Sequence, residues 1–250
     1  MKSNRPLLIV FLLSNIITRI CLILLFALGS RPVFSQSSQG MVDSASIDYF
    51  QTAQSYSPLY YGAEYEGYQR TKNHPFLVSD LYTQARLSYL NVLYPEALVR
   101  LDQNRNELVV RSPGFRDIVL LPGNVDFVEL HGYHVIYFQK DSLPGCPSTG
   151  YYIRLYDNNC KVLKKTNVQL MERTSTGLLE RFFDFTTRHY LYKDDAYYTI
   201  KNKRGLLKAL NPYKKELKRF ISSQKLNFRE NTEMFLILTV SEYEQLANLK

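Results

Sequence analysis

Histidine is scarce in this 250-residue chain, four in all, and the groupings around it are where chemistry would first be sought. His74, Ser79 and Asp80 lie close together and supply a base, a hydroxyl and a carboxylate, the parts of a hydrolytic triad if the fold aims them at one another. Ser79 has no Gly-x-Ser-x-Gly frame to lift a nucleophile out of a strained turn. The expected role of this polar cluster is therefore to tie down the loop that contains Pro75. His131 and His134 flank Gly132 near Glu129, a set that holds zinc only where further ligands complete a tetrahedron. With no third histidine nearby and no helical spacing, they read as a turn residue and a strand residue. Asp194 and Asp195 sit where aspartate favours a hairpin turn, and no glycine-rich loop follows a strand as a phosphate cradle requires. The expectation is no catalytic residue, no metal and no cofactor.

The elements that must position these residues are short strands, in a run from Leu87 to Ile200. Residues 97–102 and 106–111 are β-rich and flank the polar turn Gln103-Asn104-Arg105, the pattern of a hairpin. Residues 116–121 stop at Pro122-Gly123-Asn124, 125–130 stop at His131-Gly132, and 133–138 run into a loop from Leu143 to Thr149. Strands at 151–156, 161–165, 181–185, 190–192 and 197–200 complete the series. Connections this short leave no room for a crossover helix, so neighbours pair antiparallel. The pattern then changes. Asn202 caps a short helix through Leu206, Leu207 and Leu210, and Asn211-Pro212 reads as the start of a second helix. That second helix places Tyr213, Leu217, Phe220 and Ile221 on one face, and a last helix runs from Thr232 to Leu249. Strand runs followed by helix runs segregate in space. The expected fold class is α+β, a twisted antiparallel β-meander sheet, with a half-barrel as its more curved form, and helices packed at the C-terminal end.

Residues 1–35 have a basic beginning, an apolar core from Ile20 to Leu28 and the small-residue pattern Val33-Phe34-Ser35, which marks a signal peptide cleaved near Ser35-Gln36. An uncleaved anchor is the alternative, but Asn15, Thr18 and Arg19 interrupt the apolar stretch, and a spanning helix needs about 20 continuous apolar residues. Residues 36–58 read as a flexible leader or one short helix, and 59–250 as a single domain, mainly β to residue 200 and mainly α beyond. Residues 1–35 hold Lys2, Arg5, Arg19 and Arg31 and no acid, so their removal lowers the formal charge from +8 to +4. That is too mild to imply nucleic acid. An exported chain works in the periplasm or outside, and its remaining cysteines, Cys146 and Cys160, then either form a disulfide or stay as separate thiols.

The surplus charge is not spread evenly. Ten Lys or Arg residues stand between Lys201 and Arg229 against Glu216 alone. Lys214, Lys215, Lys218 and Arg219 fall largely off the apolar face of the second helix, where they either meet an anionic surface, whether lipid headgroups or an acidic protein, or form an ordinary solvated face. Twenty Tyr and 14 Phe suit strands and their core, and the absence of Trp speaks against a sugar-stacking platform.

The series Gly62-x-Glu64-Tyr65, His74-Pro75-Phe76-Leu77-x-Ser79-Asp80, Tyr190-Leu191-Tyr192-Lys193-Asp194-x-x-Tyr197-Tyr198-x-Ile200-Lys201-x-Lys203 and Lys225-Leu226-Asn227-Phe228 resembles a family of exported proteins of bacteroidete bacteria, over about residues 59–249. Members usually carry Gly where this chain has Asp195, and a Tyr-Tyr pair where it has Glu242-Tyr243-Glu244. The resemblance implies an exported compartment and this architecture, and it transfers no site residue or activity. Three functional classes follow in order of preference: a non-catalytic envelope module that binds another envelope protein or the membrane surface, a carrier of a lipid or other apolar ligand between sheet and helices, and a hydrolase.

Overall fold

The computed structural model describes residues 57–175 and 178–248, so the expected signal peptide and all but the last two residues of the expected leader lie outside the described residues. Those two, Ser57 and Pro58, already belong to the domain. Ser57 is fully buried and its hydroxyl donates to Tyr94 Oη at 3.0 Å, while its Oγ caps a single 3-10 turn, Pro58–Tyr60.

Eleven strands follow: β1 (Ala63–Glu64), β2 (Thr83–Tyr89), β3 (Val92–Asp102), β4 (Glu107–Arg111), β5 (Asp117–Val119), β6 (Val125–Leu130), β7 (Tyr133–Phe138), β8 (Gly150–Asp157), β9 (Lys161–Ser175), β10 (Leu178–Lys193) and β11 (Ala196–Ile200). They form one open sheet in the order β1-β5-β4-β3-β2-β6-β7-β8-β9-β10-β11, antiparallel throughout. Helices α1 (Lys203–Ala209), α2 (Lys214–Ser223) and α3 (Thr232–Asn248) come after the last strand, giving the expected α+β class with its helices at the C-terminal end. Among the described residues no helix is long and apolar enough to cross a membrane.

Two features depart from the expected meander. After β5 the chain returns past β4 and β3 to lay β6 beside β2. The expected separate strands at 161–165, 181–185 and 190–192 are parts of one long hairpin, β9–β10, in register from Tyr192 opposite Lys161 to Leu178 opposite Ser175. Its outer half lies mostly exposed, so no buried face imposes alternation there and periodicity gives no strand signal. Cross-strand pairs hold it instead: Arg181 with Glu172 at 2.7 Å, Arg173 with Glu180 at 3.0 Å, and Thr166 with Thr187 at 3.2 Å. The segment before β2 adds one short parallel contact to its outer edge. Thr71 bridges Arg181, Lys72 N–H donates to Arg181 O, and the Asn73 side chain donates to Phe183 O at 2.9 Å and accepts from Phe183 N–H at 2.7 Å.

Alternation then divides the core. Leu87, Tyr89, Val99, Leu108, Val128, Val135 and Ile153 join Leu59 and Tyr60 in a large cluster over β2 to β8. On β9 to β11, Val162, Leu191 and Ile200 point to the helices, while Leu163, Tyr190 and Tyr197 point to the other face and meet Tyr152 and Phe138. The β3–β4 turn reaches these later strands: Asn106 Oδ1 accepts from Tyr151 N–H at 2.8 Å and Asn104 Nδ2 donates to Val168 O at 3.0 Å.

The disulfide expectation is corrected by this division. Cys160 is buried in the helix-side cluster, whereas Cys146 lies in the β7–β8 loop by Tyr152 and Tyr197, on the opposite face; both are free thiols. A sheet stands between them. Bridging requires Cα atoms within about 7 Å.

Candidate functional site

The cationic helical region is built by apolar anchoring. Asn202 Oδ1 accepts from Gly205 N–H at 2.9 Å and starts α1, whose Leu206 and Leu207 sink with Leu210 against Leu191 and Ile200. Lys203, Arg204 and Lys208 are left outside. In α2, Leu217 and Ile221 are buried and Tyr213 and Phe220 half-buried, the face expected from their spacing, so Lys214, Lys215, Lys218 and Arg219 are all exposed. Pro212 precedes this helix rather than opening it: α2 starts at Lys214 behind Tyr213, with no side-chain cap bond. Residues 224–231 then return to α3 with Phe228 edge-on to Phe235 at 5.3 Å.

Between the start of α1 and this return runs an open groove lined by Lys203, Arg204, Lys225 and Arg229, with Asn202 and Ser222 as neutral donors. Among the described residues no ion pair is formed by these four cations or by Lys214, Lys215, Lys218 and Arg219. Glu216 lies among the α2 cations without an ion pair among the described residues, and Glu230, next to Arg229, accepts from Asn227 Nδ2 at 2.7 Å. From Ser57 to Ile200 sixteen basic residues are matched by sixteen acidic ones, so the domain's positive surplus lies in residues 201–229.

Packing leaves little apolar surface unspent between sheet and helices. Leu206, Leu210, Leu217, Phe235, Leu236 and Val240 are each at most 1 % exposed, against Val162 and Leu191. Polar clasps fasten the contact. Glu244, buried in α3, accepts from Cys160 N–H and from Tyr156 Oη at 2.7 Å, and Lys164 of β9 pairs with Glu233.

Of the residues singled out for chemistry, His74 and Asp80 line one open groove with Arg100, but Ser79 is not among its lining residues. Ser79 Oγ accepts from Leu81 N–H at 3.1 Å, closing its own turn, and the Asp80 backbone carbonyl accepts from Arg100. His74 stacks on Phe76, its buried Nδ1 without a hydrogen-bond partner among the described residues. No hydrogen bond joins it to Ser79 or Asp80 among these residues. Arg154 donates to His134 Nε2 at 2.7 Å, while Glu129 lies 3.9 Å from Nδ1; burial first, then the Arg154 charge, holds this imidazole below the usual histidine range. His131 faces Thr83 at 3.4 Å instead. Among the described residues no group of three His, Cys, Asp or Glu side chains is placed to hold a metal ion.

What the sequence did not signal is a polar and aromatic clamp across β3 to β5. Arg100 lies over the rings of Phe76 and Tyr82, at 4.2 and 4.4 Å from their centroids, and Arg111 over Tyr82 at 3.9 Å. Both arginines pair with Asp117. Burial pushes that carboxyl up, but the Arg111 hydrogen bonds, the nearby Tyr82 hydroxyl and both arginine charges outweigh it and hold it below the usual range. Beside it, Asp102 is fully buried and accepts from Tyr65 Oη, Tyr68 Oη and Asn104 N–H, each at 2.8 Å, and from Arg105 N–H at 3.0 Å.

The chain matches no family model, no curated protein and no solved structure.

Proposed function

We propose that this protein is a non-catalytic, exported binding module of the cell envelope that docks through its C-terminal helices onto an anionic surface. The observation that carries this reading is the set of exposed, unneutralised cations on α1, α2 and the α2–α3 return, fixed to a sheet portion whose own charges balance. Export rests on the pattern of residues 1–35 and agrees with the resemblance to exported bacteroidete proteins. Within the same reading, the strip from β5 to β8 is rolled as a half-barrel. The link from Val119 to Val125 contains a 3-10 turn and reaches about 16 Å, whereas four strand spacings in a flat sheet need about 19 Å. Asn106 and Asn104 touching β8 and β9 support the same curvature.

A basic side chain near an anionic bilayer contributes about 1 kcal/mol, and the attraction decays within a Debye length of about 8–10 Å. Co-sedimentation of the purified protein with phosphatidylcholine vesicles, with and without phosphatidylglycerol, tests the reading. Binding is expected only to the anionic vesicles, falling with salt, and weakened about thirtyfold or more when Lys214, Lys215, Lys218 and Arg219 are all replaced by Gln. Equal binding to both vesicle types, no binding to either, or an unaffected fourfold variant would overturn it.

A further inference from the structure

The register of the long hairpin sets Lys165 of β9 directly opposite Arg188 of β10. Directly opposed like charges destabilise an antiparallel pair, so such a rung calls for an explanation. Among the described residues no acid pairs with either cation. Lys165 Nζ donates at long range to Ser148 Oγ (3.4 Å) and Thr149 O (3.3 Å) and lies 4.7 Å from the Tyr152 ring centroid. Arg188 is exposed and forms no ion pair among the described residues. Both line one groove between the hairpin and the β3–β4 turn, in which the single acid among the lining residues is Asp184. Asp184 sits opposite Gln169, four residues along β10 from Arg188, or about 13 Å. The rung between them is Asn167 opposite Thr186, and Gln103 faces it from the turn. The side chains of Gln103, Asn167 and Thr186 make no hydrogen bond among the described residues. Asn106 is already engaged with Tyr151.

We propose that this groove binds the oxyanion of a small polyhydroxylated molecule, a carboxylate- or phosphate-bearing sugar, with its charge between Lys165 Nζ and the Arg188 guanidinium and its hydroxyls on Gln103, Asn167 and Thr186. Neutral amides flanking a pair of cations supply donors for the oxyanion and both donors and acceptors for hydroxyls. Tyr152, whose ring Lys165 Nζ approaches at 4.7 Å, is anchored by its hydroxyl donating to Ser148 O at 2.6 Å and backs the lysine. Burial lowers the Lys165 pKa with no opposing carboxylate, a cost that a bound anion would reverse. This site lies on the sheet face away from the helices, and its occupancy does not depend on the surface-docking reading.

The test uses calorimetry and thermal unfolding of the purified protein with glucuronate, glucose 6-phosphate, inorganic phosphate and glucose as probes. At least one of the two charged sugars is expected to bind more tightly than phosphate and to raise the unfolding midpoint, and glucose to do neither; which one responds distinguishes carboxylate from phosphate. Arg188→Gln is expected to weaken that binding about tenfold or more, as loss of one charge-assisted hydrogen bond implies, while leaving the ligand-free midpoint unchanged or higher through relief of repulsion. Lys165→Gln provides the second arm. The fourfold Gln variant of α2 is expected to bind as wild type does, separating this site from the helical cations. Failure of both charged sugars to bind, glucose binding as well as they do, or undiminished binding by Arg188→Gln would overturn the proposal.

Discussion

Asp102→Ala offers the sharpest test of how the sheet portion is held. The carboxylate accepts four hydrogen bonds with no solvent exposure, and a hydrogen bond to a charged group is worth about 1.5–3 kcal/mol when one partner is deleted. The four do not simply add. Tyr68 Oη retains Asn104 Oδ1 at 2.9 Å, and the partly exposed turn N–H groups of Asn104 and Arg105 can turn to water. Tyr65, 6 % exposed, has no such replacement. One stranded hydroxyl and two loosened turn bonds give an expected loss of about 3–4 kcal/mol. Asp102→Asn keeps an oxygen for the backbone donors and presents an amide NH2 to the two hydroxyls, which can reverse and accept, so about 1–2 kcal/mol is expected. Urea unfolding followed by circular dichroism, with the slope unchanged, reads both values. An Ala variant within about 1 kcal/mol of wild type, or an Asn variant as damaged as Ala, would refute the reasoning.

Other predictions concern protons, thiols and one turn. Burial, with the Arg154 and Lys164 charges, lowers the pKa of His134 and His189, so between the ordinary histidine value of 6.5 and the folded-state values the unfolded chain binds more protons. Stability is then full above 6.5 and falls as pH drops through that window; urea midpoints should show this, and His134→Gln with His189→Gln should flatten it, whereas a midpoint that rises on acidification would contradict the assignment. Burial and the Glu244 charge push the Cys160 thiol up to about 12, so labelling of native protein should leave it unmodified, and intact mass should be the same before and after reduction; a gain of about 2 Da would contradict the separation of the thiols. Gly145 has φ +70° and its missing Cβ would press on the Tyr197 carbonyl oxygen, so Gly145→Ala should cost about 2 kcal/mol or more and expose Tyr197 to quenchers.

The sequence resolved the parts in which local chemistry and burial agree. The hairpin around Gln103-Asn104-Arg105, the strand ends at Pro122-Gly123 and His131-Gly132, the Asn202 cap and the apolar face of α2 all stand as read. It did not resolve β9–β10, because Gln169, Leu170, Glu172 and Arg173 are all exposed and follow no period. Nor could it place β6 beside β2, which depends on where the sheet returns rather than on any residue pattern. Cys146 and Cys160 lie near the ends of adjacent strands as expected, but strand ends say nothing about which face a loop crosses. Of the candidate site, the cation run on α2 was legible because a helix's faces follow from spacing. The Lys165 and Arg188 rung was not, since it is created by register between residues 23 positions apart. Asp102 carried half a signal: an aspartate opening a turn is expected to accept its next N–H groups, but its tyrosine partners come from a segment about 35 residues earlier.

The Asn73 contact with β10 has a further meaning for solubility. A long hairpin with an unpaired edge and exposed Leu178, Leu179 and Phe185 is the kind of template on which a second molecule can add a strand. Here the edge at Arg181 and Phe183 is occupied by three residues, the last contributing a side chain in place of its peptide group. A side-chain amide fills one rung but offers no ladder to extend, and Pro75, two residues on, has no N–H to donate. Asn73 thus ends the sheet as a plug ends a pipe, and its removal would turn a blocked edge into an adhesive one.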